Sequence, residues 1–326
     1  MLFSGRRSAA FVLTLSLLCF GRLSAQSVSD RWVDNTSGPF FTGTADVEPG
    51  GSYYFEPYVA NYRTKGMHNL YLPMKFAYGV GHRTELDVYA PFTNNFSRNS
   101  QGIAGNSATA FGYADTQAQV KWQFVKENDR YHFWALPSMG LSFVLNVPTG
   151  KHANLNPHLY GADQRSNGTW NEQLNFLLRK EFKPFELYLE GSEEVEDPAH
   201  IVGPYQFNNG VSSVPAGTSL HMVDGNLLSS AGALEHVLAP KHGFGYLVEY
   251  TYQHQSARSL FFGKATAPSF YDLNMIPEIE VTWPKRKLFP LTWAVGNAFT
   301  VVRNNFPRQV TPMFTVSFYG NIHGER

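Results

Sequence analysis

From Ala114 to Phe124 the chain reads "ADTQAQVKWQF": Ala114, Thr116, Ala118, Val120, Trp122 and Phe124 alternate with Asp115, Gln117, Gln119, Lys121 and Gln123. Successive side chains of a β-strand point to opposite faces, so this stretch makes a strand with one apolar and one polar face. The same period of two recurs along the chain. Leu70, Leu72, Met74, Phe76 and Tyr78 share a face, and Leu86, Val88, Ala90 and Phe92 oppose Glu85, Asp87 and Tyr89. Phe244, Tyr246, Val248, Tyr250 and Tyr252 oppose Glu249, Thr251 and Gln253. Leu273, Met275, Ile279, Val281 and Trp283 oppose Asn274, Glu278 and Glu280. Helical periodicity is not persuasive anywhere after residue 25. A soluble sheet would hide the apolar face, whereas a membrane barrel turns it to lipid and keeps the polar face inside.

The N-terminus favours the second arrangement. "MLFSGRRSAAFVLTLSLLCFGRLSAQS" has a basic start at Arg6 and Arg7, an apolar core from Ala9 to Phe20, and a small-residue site at Leu23-Ser24-Ala25. This is the pattern of a secretory signal peptide cleaved after Ala25. Cys19 is the one cysteine, so the exported chain would hold no disulfide, no thiolate metal site and no cysteine nucleophile. Removing Arg6, Arg7 and Arg22 from 26 basic residues leaves 23 against 26 acidic ones, a balance that does not suggest nucleic acid as a partner. After Ala25 no apolar run is long enough for a membrane helix, so a membrane form has to be a closed β-barrel.

The alternating runs amount to about twelve strands of roughly ten to fifteen residues, lengths suited to crossing a bilayer at a tilt. They begin near 51, 69, 83, 113, 131, 169, 185, 226, 244, 271, 291 and 311. The strand at Leu227 to Leu238 is the least secure, because "LLSSAGALEHVL" has no clean alternation. Tight turns at "GVGH", "KEND", "FKPF", "APKHG" and "WPKRKLFP" alternate with long polar loops at 93–111, 149–168, 195–224 and 256–269. Outer-membrane barrels sort their connections this way, with short periplasmic turns and long extracellular loops. Tyr78, Trp122, Phe124, Tyr131, Phe133, Phe182, Phe185, Phe244, Tyr246, Trp283 and Trp293 flank the short turns, as one aromatic girdle of such a barrel would. The expected fold is therefore an all-β transmembrane antiparallel barrel in a bacterial outer membrane. Its expected divisions are a signal peptide over 1–25, a periplasmic segment over 26–49, the barrel over 50–322 and a tail over 323–326.

Several segments resemble the outer-membrane family named for the meta-pathway of phenol degradation. "FFTGTADVEPGGSYYFEPYV" is similar to that family's opening segment, and "LYLPMKFAYGVGHRTELDVYAPF" to its second hairpin. "GYADTQAQVKWQF" and "LSFVLNVPTGKH" resemble the next hairpin, including a Pro-Thr-Gly that ends a strand. The resemblance covers Phe40 to His152 and consists mostly of turn chemistry, so it bears on architecture more than on substrate. It implies a transporter-like barrel passing small solutes, aromatic or hydrophobic compounds among them. Barrels of this kind often end on an aromatic residue read by the barrel assembly machinery, whereas this chain runs past Phe318 and Tyr319 into "GNIHGER".

With the apolar phase on lipid, the opposite phase would line a pore. It contains Glu56, Glu85, Asp87, Asp115, Gln117, Gln119, Lys121, Arg179, Glu181, Glu186, Glu190, Glu249, Glu278 and Glu280, with Lys75 and Arg83 as further basic members. An excess of acids in a narrow pore favours cations or neutral polar solutes. The same acids can instead pair with the basic residues and fill a lumen that conducts little, and the sequence leaves both interiors open. No enzyme is expected. The outer-membrane phospholipase motif His-x-Ser-Asn-Gly is approached by "QRSNG", but Gln164 stands where the base should be, which leaves Ser166 without one. "HQS" at His254 to Ser256 lacks the Asn-Gly, and His152 and His158 are too isolated for a metal site. No cofactor is implied. Outer-membrane lipid and small solutes are the expected partners. A closed barrel that adheres through its loops and, behind it, a lipid-acting barrel enzyme remain as alternatives.

Overall fold

The computed structural model describes residues 39–321, apart from 65–66, 99–106, 128–135, 160–161, 167, 203–204, 207–212, 215–216, 224, 240–243, 262–265 and 284–290. The proposed signal peptide, residues 26–38 and the C-terminal tail lie outside the described residues. All described residues fall in one compact unit.

The wall is built from β1 (Ser52–Thr64), β2 (Met67–Gly79), β3 (Thr84–Arg98), β4 (Ser107–Tyr113), β5 (Thr116–Val125), β6 (Ser138–Val147), β7 (Asn171–Phe182) and β8 (Phe185–Glu196). It continues, after four short strands β9 (Ala199–Val202), β10 (Tyr205–Gln206), β11 (Ser213–Val214) and β12 (Ser219–Val223), with β13 (Leu227–Ala239) and β14 (Phe244–Gln255). Two further short strands, β15 (Arg258–Phe261) and β16 (Thr266–Ala267), precede β17 (Phe270–Trp283), β18 (Leu291–Asn304) and β19 (Val310–Asn321). Every pairing is antiparallel between neighbours around the wall, and β1 closes it by pairing with β19 from Ser52↔Asn321 to Arg63↔Val310. The outcome is a closed 12-strand barrel, in which β4 and β5 act as two halves of one stave.

The alternation has a physical outcome in burial. Val120 and Trp122 are 47% and 50% exposed, whereas Lys121 and Gln123, which alternate with them, are 4% and 2% exposed. A soluble sheet would show the reverse. The apolar phase therefore faces lipid and the polar phase faces the lumen. Aromatic pairs Tyr53–Phe76, Phe55–Phe318, Trp122–Phe124 and Phe182–Phe185, with ring centroids 5.7–6.4 Å apart, cluster around the short-turn rim. Such pairs stabilise cross-strand contacts and mark a membrane interface.

Two details depart from a simple reading of the pattern. The alternation through Ala114 to Phe124 is not one strand: pairing breaks at Ala114–Asp115, so that β4 pairs with β3 from Phe92↔Tyr113 upward while β5 pairs with both β3 and β6. The loop after β6 fastens the break. Thr149 Oγ1 donates to the Ala114 carbonyl (3.0 Å), and the Thr116 and Gly150 amides donate to Thr149 Oγ1 and Asp115 Oδ1 (3.0 Å each). Arg165, from the same loop, donates to the carbonyls of Tyr113 (3.2 Å) and Phe111 (3.4 Å) on the open edge of β4. The Pro-Thr-Gly that ends β6 thus clasps a neighbouring stave. In addition, the polar loops on the extracellular side are partly structured, with β9, β12, β15 and β16 forming a four-stranded sheet of their own.

Candidate functional site: the barrel lumen

Cross-strand register decides which charges meet inside. Glu85 of β3 lies opposite Lys121 of β5, and their side chains pair at 2.8 Å with both nearly fully buried. Lys75 of β2 reaches Asp87 at 3.4 Å and sits 5.5 Å from the ring centres of Tyr54 and Tyr89. Arg179 of β7 donates from Nε (2.9 Å) and Nη2 (2.6 Å) to Glu186 of β8, which also accepts from the Tyr188 hydroxyl (2.7 Å). Glu181 is 3.9 Å from the same guanidinium. The inward basic residues Lys75, Lys121 and Arg179 therefore occupy one arc of the wall, from β2 to β7, each with a carboxylate partner.

The opposite arc is different. Glu190 of β8, Glu249 of β14 and Glu278 of β17 have no basic residue within 4.0 Å among the described residues. Glu249 is fully buried, and Glu278 stands diagonal to it across the β14–β17 ladder. An unpaired buried carboxylate is costly unless donors reach it. For two of these residues the donors come from the polypeptide ahead of β1.

Residues 39–50 run inside the barrel. The sequence reading placed 26–49 in the periplasm; the described part of that stretch is bonded instead to side chains of the inner wall. Glu249 accepts from the amides of Phe41 (3.0 Å) and Thr42 and from the Thr42 hydroxyl (2.6 Å). Glu190 accepts from the Gly43 amide and Glu85 from the Glu48 amide, both at 2.6 Å. Asp46 accepts from Gln123 Nε2 (2.7 Å) and pairs with Arg179. Phe40 packs on an apolar cluster of Ala60, Ile276, Ala298 and Met313, with its ring 5.3 Å from Tyr58. The segment passes the rim so closely that a Cβ on Gly79 would lie 2.2 Å from the Pro49 carbonyl oxygen, and deeper in, a Cβ on Gly43 would lie 2.9 Å from Leu177. Glycine is the residue that permits such backbone approach.

Of the residues expected in a pore lining, Glu85, Asp87, Lys121, Glu186, Glu249, Glu278 and Glu280 are buried in the interior, and Arg179, Glu181 and Glu190 join them through the contacts above. Gln117 and Gln119 follow on β5, where Gln119 accepts a 3.4 Å bond from the Tyr89 hydroxyl. Asp115 belongs to no strand; it holds the Gly150 amide at the β4–β5 break. Arg83 is exposed at the rim, with its guanidinium 3.3 Å from the Phe124 carbonyl. The serines weighed as nucleophiles are spent on backbone bonds: Ser166 Oγ accepts from Gly168 N (2.8 Å), and Ser256 Oγ donates to the Asn226 carbonyl (3.1 Å).

The whole-chain likeness agrees with this geometry. The COG4313 outer membrane channel from Pseudomonas putida F1 is similar over 88% of this chain and 100% of its own, with 9% identity and a TM-score of 0.65. This chain has the fold of an outer-membrane β-barrel. Looser likenesses include the CymD monoaromatic hydrocarbon channel (8% identity, 86% of this chain, 90% of that chain, TM-score 0.37) and a BenF-like porin from Pseudomonas fluorescens Pf-5 (9% identity, 85% and 100%, TM-score 0.35). No protein family matches the chain by sequence, and no curated protein does.

The seated segment brings one titration of its own. Burial, reinforced by Glu85 and opposed by Lys121 and Lys75, pushes the Glu48 carboxyl from its ordinary 4.5 up to about 7. A carboxyl that holds its proton more tightly when seated favours the seat fully below about pH 4.5 and withdraws that support as pH rises through about 7. Conductance is accordingly expected to rise between about pH 5 and about pH 8. Glu48→Gln, uncharged throughout, should flatten part of the rise; bilayer recordings at the two pH values check it, and identical pH dependence in both proteins would refute it.

Proposed function

We propose that the barrel is a porin-like channel for small solutes, aromatic or hydrophobic compounds among them, and that it performs no covalent chemistry. The observation that carries this is the nature of the obstruction. The lumen is lined with polar and charged side chains, and what fills it is a segment of about a dozen residues (39–50) held by hydrogen bonds, one ion pair and one phenylalanine. No described strand crosses the lumen, so among the described residues that segment is what has to shift to give an aqueous route. On this reading Glu85, Asp87, Gln117, Gln119, Lys121, Arg179, Glu181, Glu186, Glu190, Glu249, Glu278 and Glu280 line the route, Asp115 stands at its edge, and outer-membrane lipid and the barrel assembly machinery are partners. Because Lys75, Lys121 and Arg179 are paired and Glu278 has no basic neighbour among the described residues, the route favours cations.

Single-channel recording of the refolded barrel across a salt gradient tests this. Discrete openings with a cation-biased reversal potential are expected, and Glu278→Gln should move that potential toward zero. A folded, heat-modifiable barrel that never conducts would end the channel reading.

A further inference from the structure

On the extracellular side of Phe41 the lumen holds a cavity of about 410 Å³, at the small end of the ~300–1,000 Å³ common for small-molecule sites. Its lining combines three kinds of group. Phe41, Tyr62, Ala298 and Phe306 supply apolar surface. Gln173, Gln253, Asn274 and Gln309 supply amides. The charged members are Asp272 and Glu190, both acidic; no basic residue lines it among the described residues.

Asp272 is the telling member. It is 1% exposed, and its Oδ2 accepts from Asn274 Nδ2 at 2.6 Å, but its Oδ1 has no hydrogen-bond partner. Its direct neighbour across the β17–β18 ladder is Arg303, yet that guanidinium donates to the Phe306 carbonyl, is exposed, and forms no ion pair with Asp272. Glu190, three staves away on β8, accepts only the Gly43 amide among the bonds described. Two carboxylates thus face a half-apolar cavity without a counter-ion. A neutral hydroxyl could complete the hydrogen bonding of Asp272, but it would leave the desolvated charge uncompensated; an ammonium group supplies both.

We propose that this cavity binds a small organic ammonium ion with an apolar body, its cationic head between Asp272 and Glu190 and its body against Phe41 and Tyr62. The proposal rests on the reading of the lumen as a solute route and names the class of solute that pauses there. Aromatic faces beside the head add to its attraction for a cation. Phe41 is also the floor of the cavity and belongs to the seated segment, so an occupant rests directly on the obstruction.

Three probes of one shape and different charge decide it: tyramine, neutral 4-ethylphenol, and anionic 3-(4-hydroxyphenyl)propionate, titrated calorimetrically into the full folded barrel in detergent. Tyramine is expected to bind at least about tenfold tighter than either analogue, and Asp272→Asn to remove about that factor. Heat-modifiability reports whether each variant is folded, and Glu190→Gln, expected to weaken tyramine in the same direction, keeps the test readable where Asp272→Asn gives no barrel. Equal affinity for the three probes, or tyramine affinity unchanged in both folded variants, overturns the site. A barrel that conducts but does not prefer tyramine overturns the site and spares the channel. Selective tyramine binding by a barrel that never conducts upholds the site and removes the channel.

Discussion

Replacing residues 40–48 with a glycine–serine stretch of equal length is expected to raise single-channel conductance severalfold. The seat of the native segment is a contest between terms of similar size. Each hydrogen bond to a carboxylate contributes about 1.5–3 kcal/mol, and ordering each backbone residue costs about 1–2 kcal/mol. Carboxylates of Glu249, Glu190 and Glu85 anchor the backbone at Phe41, Thr42, Gly43 and Glu48, and Phe40 adds its burial on Ile276 and Met313. The replacement keeps backbone amides, but it removes Phe40, the Thr42 hydroxyl and the Asp46 carboxylate, and raises the entropy lost on ordering. The balance then tips toward an empty lumen. Folding should be unaffected, because the wall is closed by β1–β19 pairing that begins at Ser52. Bilayer recordings decide it: an unchanged conductance would mean that the segment does not set the passage.

The barrel was legible because its physics is local and repetitive. A period of two, read stave by stave, places polar residues inside a closed wall whatever their distant partners are, and Lys121 against Trp122 shows the outcome in a single pair. The stave at Leu227–Ala239 was hard to read because both of its faces are built of small residues: Ala231 and Ala233 point inward while Ser230 and Gly232 point outward, so that it alternates in position but not in polarity. The break at Ala114–Asp115 shifts the phase by one, so that Phe111 and Trp122 both face lipid from positions of opposite parity, and the small residues around it hide the shift in the pattern. The segment inside the barrel was illegible for a deeper reason. "FFTGTADVEPGG" has no period, and its placement is decided by partners such as Glu249, 208 positions from Phe41. Counting acids in the inward phase likewise said little about which were compensated. Register brought Lys121 to Glu85 and Arg179 to Glu186, and left Glu249 to be satisfied by backbone amides. Asp272, an inward acid that the count omitted, differs from the others only in what surrounds it.

Arg179→Met is expected to destabilise the barrel by about 3–5 kcal/mol, the usual consequence of stripping one partner from a buried ion pair. Arg179 supplies the ion pair that joins wall and inner segment. Its guanidinium holds Glu186, whose side chain is 3% exposed, with two hydrogen bonds, and pairs with Asp46 at the same time. Methionine fills the volume but strands Glu186 with the Tyr188 hydroxyl as its remaining donor among the described residues and leaves Asp46 held to the wall by Gln123 without its ion pair. Two readouts should therefore move together: the midpoint of urea unfolding in lipid vesicles falls, and channel conductance at neutral pH rises. Arg179→Lys separates the causes, because an ammonium keeps the charge but cannot reproduce the forked geometry that reaches two carboxylates from one planar group. Its stability should lie between the other two proteins, with conductance closer to that of Arg179→Met. Adding Glu186→Gln to Arg179→Met should recover most of the lost stability, since the buried charge is then gone, but none of the lost obstruction, since the Asp46 ion pair stays broken. A loss of under about 1 kcal/mol in Arg179→Met would show that the lumen is wet enough to screen the pair, and that Arg179 does not fasten the segment to the wall.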